Sequence, residues 1–210
     1  MSILNKLATS QNRNDELPNI ELAMDIANNK DKAAIKELMA LVLSGKNRDI
    51  QNDSIKVLYE TGERNPSLIS PYLNTFAGLL SSKNKRLQWG AMSALNAIAS
   101  IEPGLIYSLL PELEAAVAKG SVITRDNYVY ILIGLAGIKN YRNKAIALLK
   151  EQLMSCPSNQ LPMYAEKSLP VITSSEKNSF TQILQSRWNE FEKASKQARV
   201  EKVIRKLQGL

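Results

Sequence analysis

Apolar residues recur along most of the chain every three or four positions, the spacing that places them on one face of an α-helix. Residues 66–82 illustrate this spacing with a broad stripe formed by Leu68, Tyr72, Leu73, Phe76, Leu79 and Leu80. No long window alternates apolar and polar residues as a half-buried β-strand would. The pattern therefore predicts an all-α fold.

The helical pattern also repeats every 37 residues, as shown by Leu58, Leu95, Leu132 and Leu169. Around the first three leucines, two further sets of apolar residues are equivalent, Ile55/Met92/Val129 and Val57/Ala94/Ile131. A period of about 20 to 50 residues is typical of proteins in which each structural repeat buries its apolar face against its neighbours. We therefore expect stacked helical hairpins, with Leu95 and Leu132 fully buried between them.

Each period contains a first and a second helix, and the best-defined pairs cover residues 66–82 with 85–100 and 103–120 with 124–137. Pro66 and Pro103 are expected to open first helices, because proline fits only the first turn of a helix. Asn140 stands at the next equivalent position and is expected to cap the helix that follows it. Gly45 and Gly120 are expected to end first helices in a left-handed conformation.

The two ends of the chain depart from the repeat, as terminal units do when they cover the last apolar faces of an array. We predict an N-terminal capping helix over 16–29, repeats over about 32–172 and a C-terminal capping segment with a basic amphipathic helix over 176–208. The 210 residues are enough for about five hairpins, so we expect a single domain over 1–210.

The repeat pattern resembles the HEAT-like (armadillo-type) family of α-helical repeats over residues 32–172. The segment LPEL at 110–113 resembles the proline-bearing first helix of such a repeat, and Arg125 stands where the family often carries a basic residue that opens the second helix. Gln51 and Gln88 occupy that position in two other repeats. The resemblance implies a right-handed α-solenoid of about five HEAT-like hairpins, whose second helices line a concave wall.

The composition excludes several classes of chemistry. The chain has no histidine, which rules out histidine triads and imidazole proton shuttles, and its single cysteine, Cys156, cannot build a zinc site. No glycine-rich phosphate loop occurs. The pairs Glu60/Glu63 and Glu112/Glu114 fit a solvated helix surface better than a catalytic site. We therefore expect no enzyme activity, metal, cofactor or small-molecule substrate.

A protein-binding surface is predicted on the second helices. If Ile55, Leu58 and their equivalents point into the stack, the opposite face of these helices points outward. That face holds Asn52, Lys56, Tyr59, Trp89, Ser93, Asn96, Asp126, Tyr130 and Ile133. Aromatic and hydrogen-bonding side chains on one wall are typical of protein recognition, although Trp89 and Tyr130 fit packing against a neighbouring helix equally well. We expect a non-enzymatic scaffold whose protein partner the sequence does not identify.

The charge of the chain supports an alternative, nucleic-acid binding. Lys and Arg outnumber Asp and Glu by 27 to 20, a formal charge of +7. Stacking would align the basic residues of successive turns along one edge, and the C-terminal helix would add others. The proposed phosphate contacts are Lys46, Arg48, Lys83, Lys85, Arg86, Lys119, Arg125, Lys196 and Arg199. HEAT-like DNA glycosylases need an aspartate one helical turn after a tryptophan. Here Ser93 stands one turn after Trp89 and Glu192 one turn after Trp188, so the glycosylase signature is not met.

The chain shows no targeting or membrane signal at the level of sequence. Residues 2–17 lack the apolar core of a secretory signal, and no segment approaches the ~20 apolar residues that a membrane-spanning helix needs. We therefore expect a cytoplasmic protein. A membrane-surface role for the C-terminal helix is a weaker interpretation, because Glu190, Glu192 and Glu201 interrupt its basic residues.

Overall fold

The computed structural model describes residues 2–209, which contain helices and no β-strand. The α-helices are α1 (Leu17–Asn29), α2 (Lys32–Ser44), α3 (Arg48–Arg64), α4 (Leu73–Leu79), α5 (Lys85–Ala99), α6 (Pro103–Ser108), α7 (Leu110–Lys119), α8 (Val122–Ala136), α9 (Arg142–Ser155), α10 (Leu161–Ser168), α11 (Lys177–Ser186) and α12 (Ala194–Gln208). The predicted all-α fold is confirmed. Among these residues, no helix combines the length and apolar character needed to cross a bilayer.

The chain divides into two compact units, residues 1–128 (unit 1) and 129–210 (unit 2), with the boundary inside α8. In unit 1, α3 packs against α1, α2 and α5, and α5 also packs against α4 and α6. In unit 2, α9 and α12 each pack against both α10 and α11. The single domain over 1–210 stays a prediction.

The 37-residue register corresponds to the buried face of the second helices. The nine residues of the three equivalent apolar sets are all 0% exposed. They are Ile55, Val57, Leu58, Met92, Ala94, Leu95, Val129, Ile131 and Leu132. The predicted burial of Leu95 and Leu132 is therefore confirmed. Leu169, the fourth leucine, is only half-buried and lies in the short 3-10 helix Leu169–Val171 directly after α10. A helix therefore occupies the fourth position of the period, but the fully buried apolar register does not continue into it.

Prolines break the first helices more than the periodicity predicts. Residues 66–82 form the 3-10 helices Pro66–Leu68 and Ser70–Tyr72 before α4, and residues 103–120 form α6 and α7 in place of one helix. Pro71 and Pro111 explain both interruptions, because proline lacks an N–H donor and its ring clashes with the carbonyl four residues earlier. Pro66 and Pro103 do lie in the first turn of their helices, as predicted.

Helix ends agree only in part with the predicted signals. Gly45 ends α2 in the left-handed conformation, with φ +66°. Gly120 does not, since it is extended at φ −85° and ψ 180°. Asn140 is not a cap either, because Tyr141 immediately precedes α9 and makes no side-chain cap.

The second helices instead share a cap that repeats with the 37-residue period. The side chain of Asn47 accepts hydrogen bonds from the backbone N–H groups of Asp49 and Ile50, and Asn84 accepts one from Arg86. Ser121 accepts one from Thr124 over 3.3 Å at the start of α8. Such caps satisfy N–H groups that the first helical turn leaves unpaired, so they fix where each second helix begins.

The terminal segments agree partly with their predicted capping roles. The N-terminal helix predicted over 16–29 is α1, and its start is shifted by one residue. The C-terminal segment 176–208 is not a single helix, because a turn containing the 3-10 helix Trp188–Glu190 separates α11 from α12. The apolar face of α12 is buried, as its amphipathic pattern predicts.

Candidate protein-binding surface

The predicted surface lies where α3 and α5 pack closely together. A Cβ atom at Gly90 would lie 2.7 Å from Cγ1 of Ile55, so the absence of a side chain at Gly90 permits this close approach. The contact brings Tyr59 on α3 beside Trp89 on α5, with ring centroids 5.6 Å apart and planes inclined by 54°. Two predicted surface residues from different repeats therefore meet.

The exposure of this surface differs from the prediction. Asn52, Trp89 and Asn96 are half-buried, and they remain partly accessible. Lys56, Tyr59 and Ser93 are each only 7% exposed, so their expected outward position is wrong. The reason is that a neighbouring segment and the adjacent second helix cover these positions, as the contacts of Lys56 and Ser93 show.

Lys56 is the centre of an ionic-aromatic cluster, which we define as Glu16, Lys56, Tyr59, Glu60, Arg86 and Trp89. Its Nζ lies 2.7 Å from Oε1 of Glu60, 3.1 Å from Oε2 of Glu16 and 5.0 Å from the centre of the Tyr59 ring. Arg86 pairs with Glu16 and lies 5.2 Å from the centre of the Trp89 ring. A buried ammonium group is tolerated here because carboxylates and aromatic rings replace its water.

The cluster shifts the titration of its members. Burial alone would raise the pKa of Glu16, but the hydrogen bonds from Arg86 and Lys56 lower it below its usual value. Burial likewise opposes the lowered pKa of Glu60, which hydrogen bonds from Lys56 and Arg64 produce. The pKa of Lys56 is raised, because hydrogen bonds to Glu60 outweigh the effect of burial. All of these groups are therefore held in their charged forms.

Amide side chains connect successive second helices. Asn84, the cap of α5, donates to Oδ1 of Asn52 over 3.0 Å. Asn96 on α5 donates to Oδ1 of Asn127 on α8 over 3.1 Å, and Asn127 donates to Ser93 over 3.0 Å. These bonds place α5 beside both neighbouring second helices and explain the burial of Ser93.

The remaining surface residues lie on α8. Asp126, in unit 1, is half-buried. Tyr130 belongs to unit 2, where its Oη lies 3.8 Å from Sδ of Met163, and Ile133 is half-buried in the same unit. For Tyr130, packing against a neighbouring helix is thus observed.

A polar groove of about 530 Å³ lies beside the cluster in unit 1, and Glu16, Asn52 and Arg86 contribute to its lining. Asp53 in its wall accepts hydrogen bonds from the Thr9 backbone N–H over 2.7 Å and from the Asn19 side chain over 2.8 Å. This carboxylate therefore holds the N-terminal segment against α3, which is a structural function.

The basic residues predicted to meet phosphates differ in their surroundings. In unit 1, Lys83, Lys85 and Lys119 line a single groove of about 700 Å³, while Arg86 is taken up by the cluster. Lys46 and Arg48 are exposed but do not line that groove, and Arg125 is half-buried.

The two predicted phosphate contacts in unit 2 are used within the fold. Arg199 forms a double hydrogen bond with Glu166, with distances of 2.6 and 2.8 Å. Lys196 donates to the backbone carbonyl of Asn159 over 3.1 Å. Arg199 therefore ties α12 to α10, and Lys196 ties α12 to the segment just before α10.

Several residues that build the surface were missed at the level of sequence. Asn84 and Ser121 had a usable signal, because Asn47, Asn84 and Ser121 keep the 37-residue spacing. Glu16 had none, since it is 70 residues from Arg86 along the chain. No protein-family model matches the sequence, and no curated protein is significantly similar to it.

Proposed function

We propose that this chain is a non-enzymatic protein-interaction scaffold that binds its partner through the α3–α5 wall. The proposal includes a HEAT-like right-handed α-solenoid. It is supported by the packing of α3 against both α2 and α5 and by the hydrogen bond from Asn96 to Asn127, which make three successive second helices neighbours. Stacked repeats of this kind leave a continuous surface free for a partner.

The observation that carries the proposal is the contact of Trp89 with both Tyr59 and Arg86. Trp, Tyr and Arg are the residue types that most often dominate binding energies at protein interfaces. Here the neighbouring ring and guanidinium restrict Trp89 before any partner arrives, so less conformational entropy is lost on binding. Trp89 remains half-buried and therefore keeps accessible surface for a partner.

The wall also offers hydrogen-bonding groups. Asn52 accepts through Oδ1 and Asn96 donates through Nδ2, so the amide N–H groups of Asn52 and the Oδ1 of Asn96 are available to a partner. We propose that Asn52, Trp89 and Asn96 make the contacts. Lys56, Tyr59 and Ser93 support them from beneath, and Asp126 on α8 extends the set within unit 1.

The test compares Trp89→Ala with Trp188→Ala in quantitative affinity purification. Trp188 is a matched control, because it is also half-buried and packs against one aromatic residue, Phe191. Trp89→Ala should reduce recovery of a defined set of proteins by about tenfold or more, as expected for a hot-spot residue. Equal recovery with both folded variants would overturn the wall as the binding surface.

Nucleic-acid binding is the second candidate function. It is favoured by five basic residues that are exposed at the surface of unit 1, Lys46, Arg48, Lys83, Lys85 and Lys119. Titration of labelled DNA and RNA into the protein should give an affinity that falls steeply as salt is raised. An absence of binding even at low salt would remove this function.

A further inference from the structure

A groove of about 700 Å³ lies in unit 1 between the end of α4, the start of α5 and α7. It is distinct from the α3–α5 wall, because none of the residues proposed to contact a partner there lines it. Its lining carries three lysines, Lys83, Lys85 and Lys119, and one acidic residue, Glu112. The formal charge of the groove is therefore 3 − 1 = +2.

The three ammonium groups are available to an anion. Lys83 and Lys119 are exposed, and among residues 2–209 no carboxylate forms an ion pair with any of the three. Lys85 is held in position, since its Nζ lies 3.1 Å from the carbonyl oxygen of Lys119 and 3.2 Å from Oε1 of Gln88. Its acceptors are a backbone carbonyl and a side-chain amide, so no carboxylate of the fold competes with an anionic ligand.

The other residues that line the groove are mostly small and apolar. Ala77, Leu80, Ala115 and Ala116 contribute to its lining. The hydroxyl of Ser81 donates to the backbone carbonyl of Gly78. The lining therefore combines lysine ammonium groups with space for short aliphatic side chains.

This combination favours a peptide over a nucleic acid. No aromatic ring lines the groove on which a base could stack. No arginine lines it either, so the planar fork that binds phosphate through two parallel hydrogen bonds is missing. Lysines above an apolar floor match carboxylates interspersed with small aliphatic residues.

We propose that this groove is a second docking site, which binds an acidic peptide segment of a partner protein through Lys83, Lys85 and Lys119. The site goes beyond the function proposed for the α3–α5 wall, and the two can be tested separately. Trp89→Ala should leave binding at the groove unchanged, because Trp89 does not line it.

The test uses a fluorescein-labelled peptide of about eight alternating Glu and Ala residues and measures fluorescence polarisation with the full chain at low salt. The double variant Lys83→Gln/Lys119→Gln should weaken binding by about fivefold or more, since each lost ion pair contributes modestly. The control, Lys139→Gln/Lys144→Gln, makes the same charge change at two exposed lysines of unit 2 and should bind as wild type. Ala115→Glu places a carboxylate in the groove and should also weaken binding.

Four results would overturn the proposal. Equal weakening by the control variant would indicate only general charge attraction, and equal binding of a Gln/Ala peptide would indicate that charge is irrelevant. Tighter binding of a single-stranded oligonucleotide that is lost in the groove variant would assign the groove to nucleic acid. Self-association in sedimentation that disappears in the groove variant would assign it to a second copy of the chain.

Discussion

Unit 1 uses its cationic side chains in two different ways. Lys56 and Arg86 are paired with carboxylates and lie over aromatic rings, whereas Lys83 and Lys119 are exposed and form no ion pair with any described residue. A cation removed from water requires partners from the protein, while an exposed one stays hydrated. The difference teaches that net charge does not locate a binding surface, because part of the charge is used to hold the fold together.

The largest effect on stability should come from the core residues that hold α5 in place, because α5 carries cations of both kinds. Leu95 is fully buried on α5, which carries Arg86 and Lys85 near its start. Replacing Leu95 with Ala should lower the free energy of unfolding by about 2–5 kcal/mol, because the core cannot fully close around the lost methyl groups. Urea denaturation checks this, with Leu105→Ala as a control, since Leu105 is 53% exposed. A cost near zero for Leu95→Ala would mean that α5 does not pack as described.

The next effect should come from the cluster itself. Lys56→Met should lower the free energy of unfolding by about 2 kcal/mol, because Glu16 and Glu60 would each lose a buried cation, although Glu60 keeps Arg64 and Glu16 keeps Arg86. The double variant Lys56→Met/Glu60→Gln should recover part of that loss, since it removes one of the two carboxylates that Lys56 neutralises. Urea denaturation of the two variants measures the difference. If Lys56→Met lost only a few tenths of a kcal/mol, Lys56 would behave like the exposed lysines of the groove and the contrast would disappear.

The sequence predicted the second helices better than the first. Residues 85–100 and 124–137 lie close to the bounds of α5 and α8, because an uninterrupted apolar period follows directly from helical geometry. The predicted bounds of the first helices were wrong where Pro71 and Pro111 interrupt them, although both prolines are present in the sequence. At the second helices the apolar stripe, the 37-residue repeat and the capping residue all indicate the same helix. At the first helices the apolar stripe indicates one long helix, while the prolines indicate a break.

For the candidate surface, the sequence predicted which residues of the second helices share a face, but not how buried each of them is. The register put Trp89 and Asn96 on the face opposite the core leucines, and both remain partly accessible. It could not predict that Lys56 is buried, because Glu16 reaches it from a different helix start 40 positions earlier in the chain. Ion pairs between distant segments leave no periodic trace in a sequence.

A smaller effect should appear in the dependence of stability on pH. The pKa values of Glu16 and Glu60 lie below their usual value of 4.5, so their contribution to stability is present above about pH 4.5 and is lost as pH falls through the lowered values in the folded protein. Lys56→Met should reduce this loss in part, because it removes one of the two hydrogen bonds that lower each pKa, while Arg86 remains beside Glu16 and Arg64 beside Glu60. Urea denaturation between pH 7 and pH 3 measures it. Identical slopes for wild type and Lys56→Met would contradict the role of Lys56.

The smallest effect on stability should come from the groove. Lys83→Gln/Lys119→Gln should change the free energy of unfolding by no more than about 0.5 kcal/mol, since exposed side chains without fixed partners contribute little. Lys119 lies in the last turn of α7, so a few tenths of a kcal/mol from the helix dipole fall within this range. Thermal unfolding monitored by circular dichroism checks it, with Lys139→Gln/Lys144→Gln as the matched control. A loss above about 1 kcal/mol relative to that control would mean that the groove lysines are held by the fold as Lys56 is, and they would then be poor candidates for binding an acidic peptide.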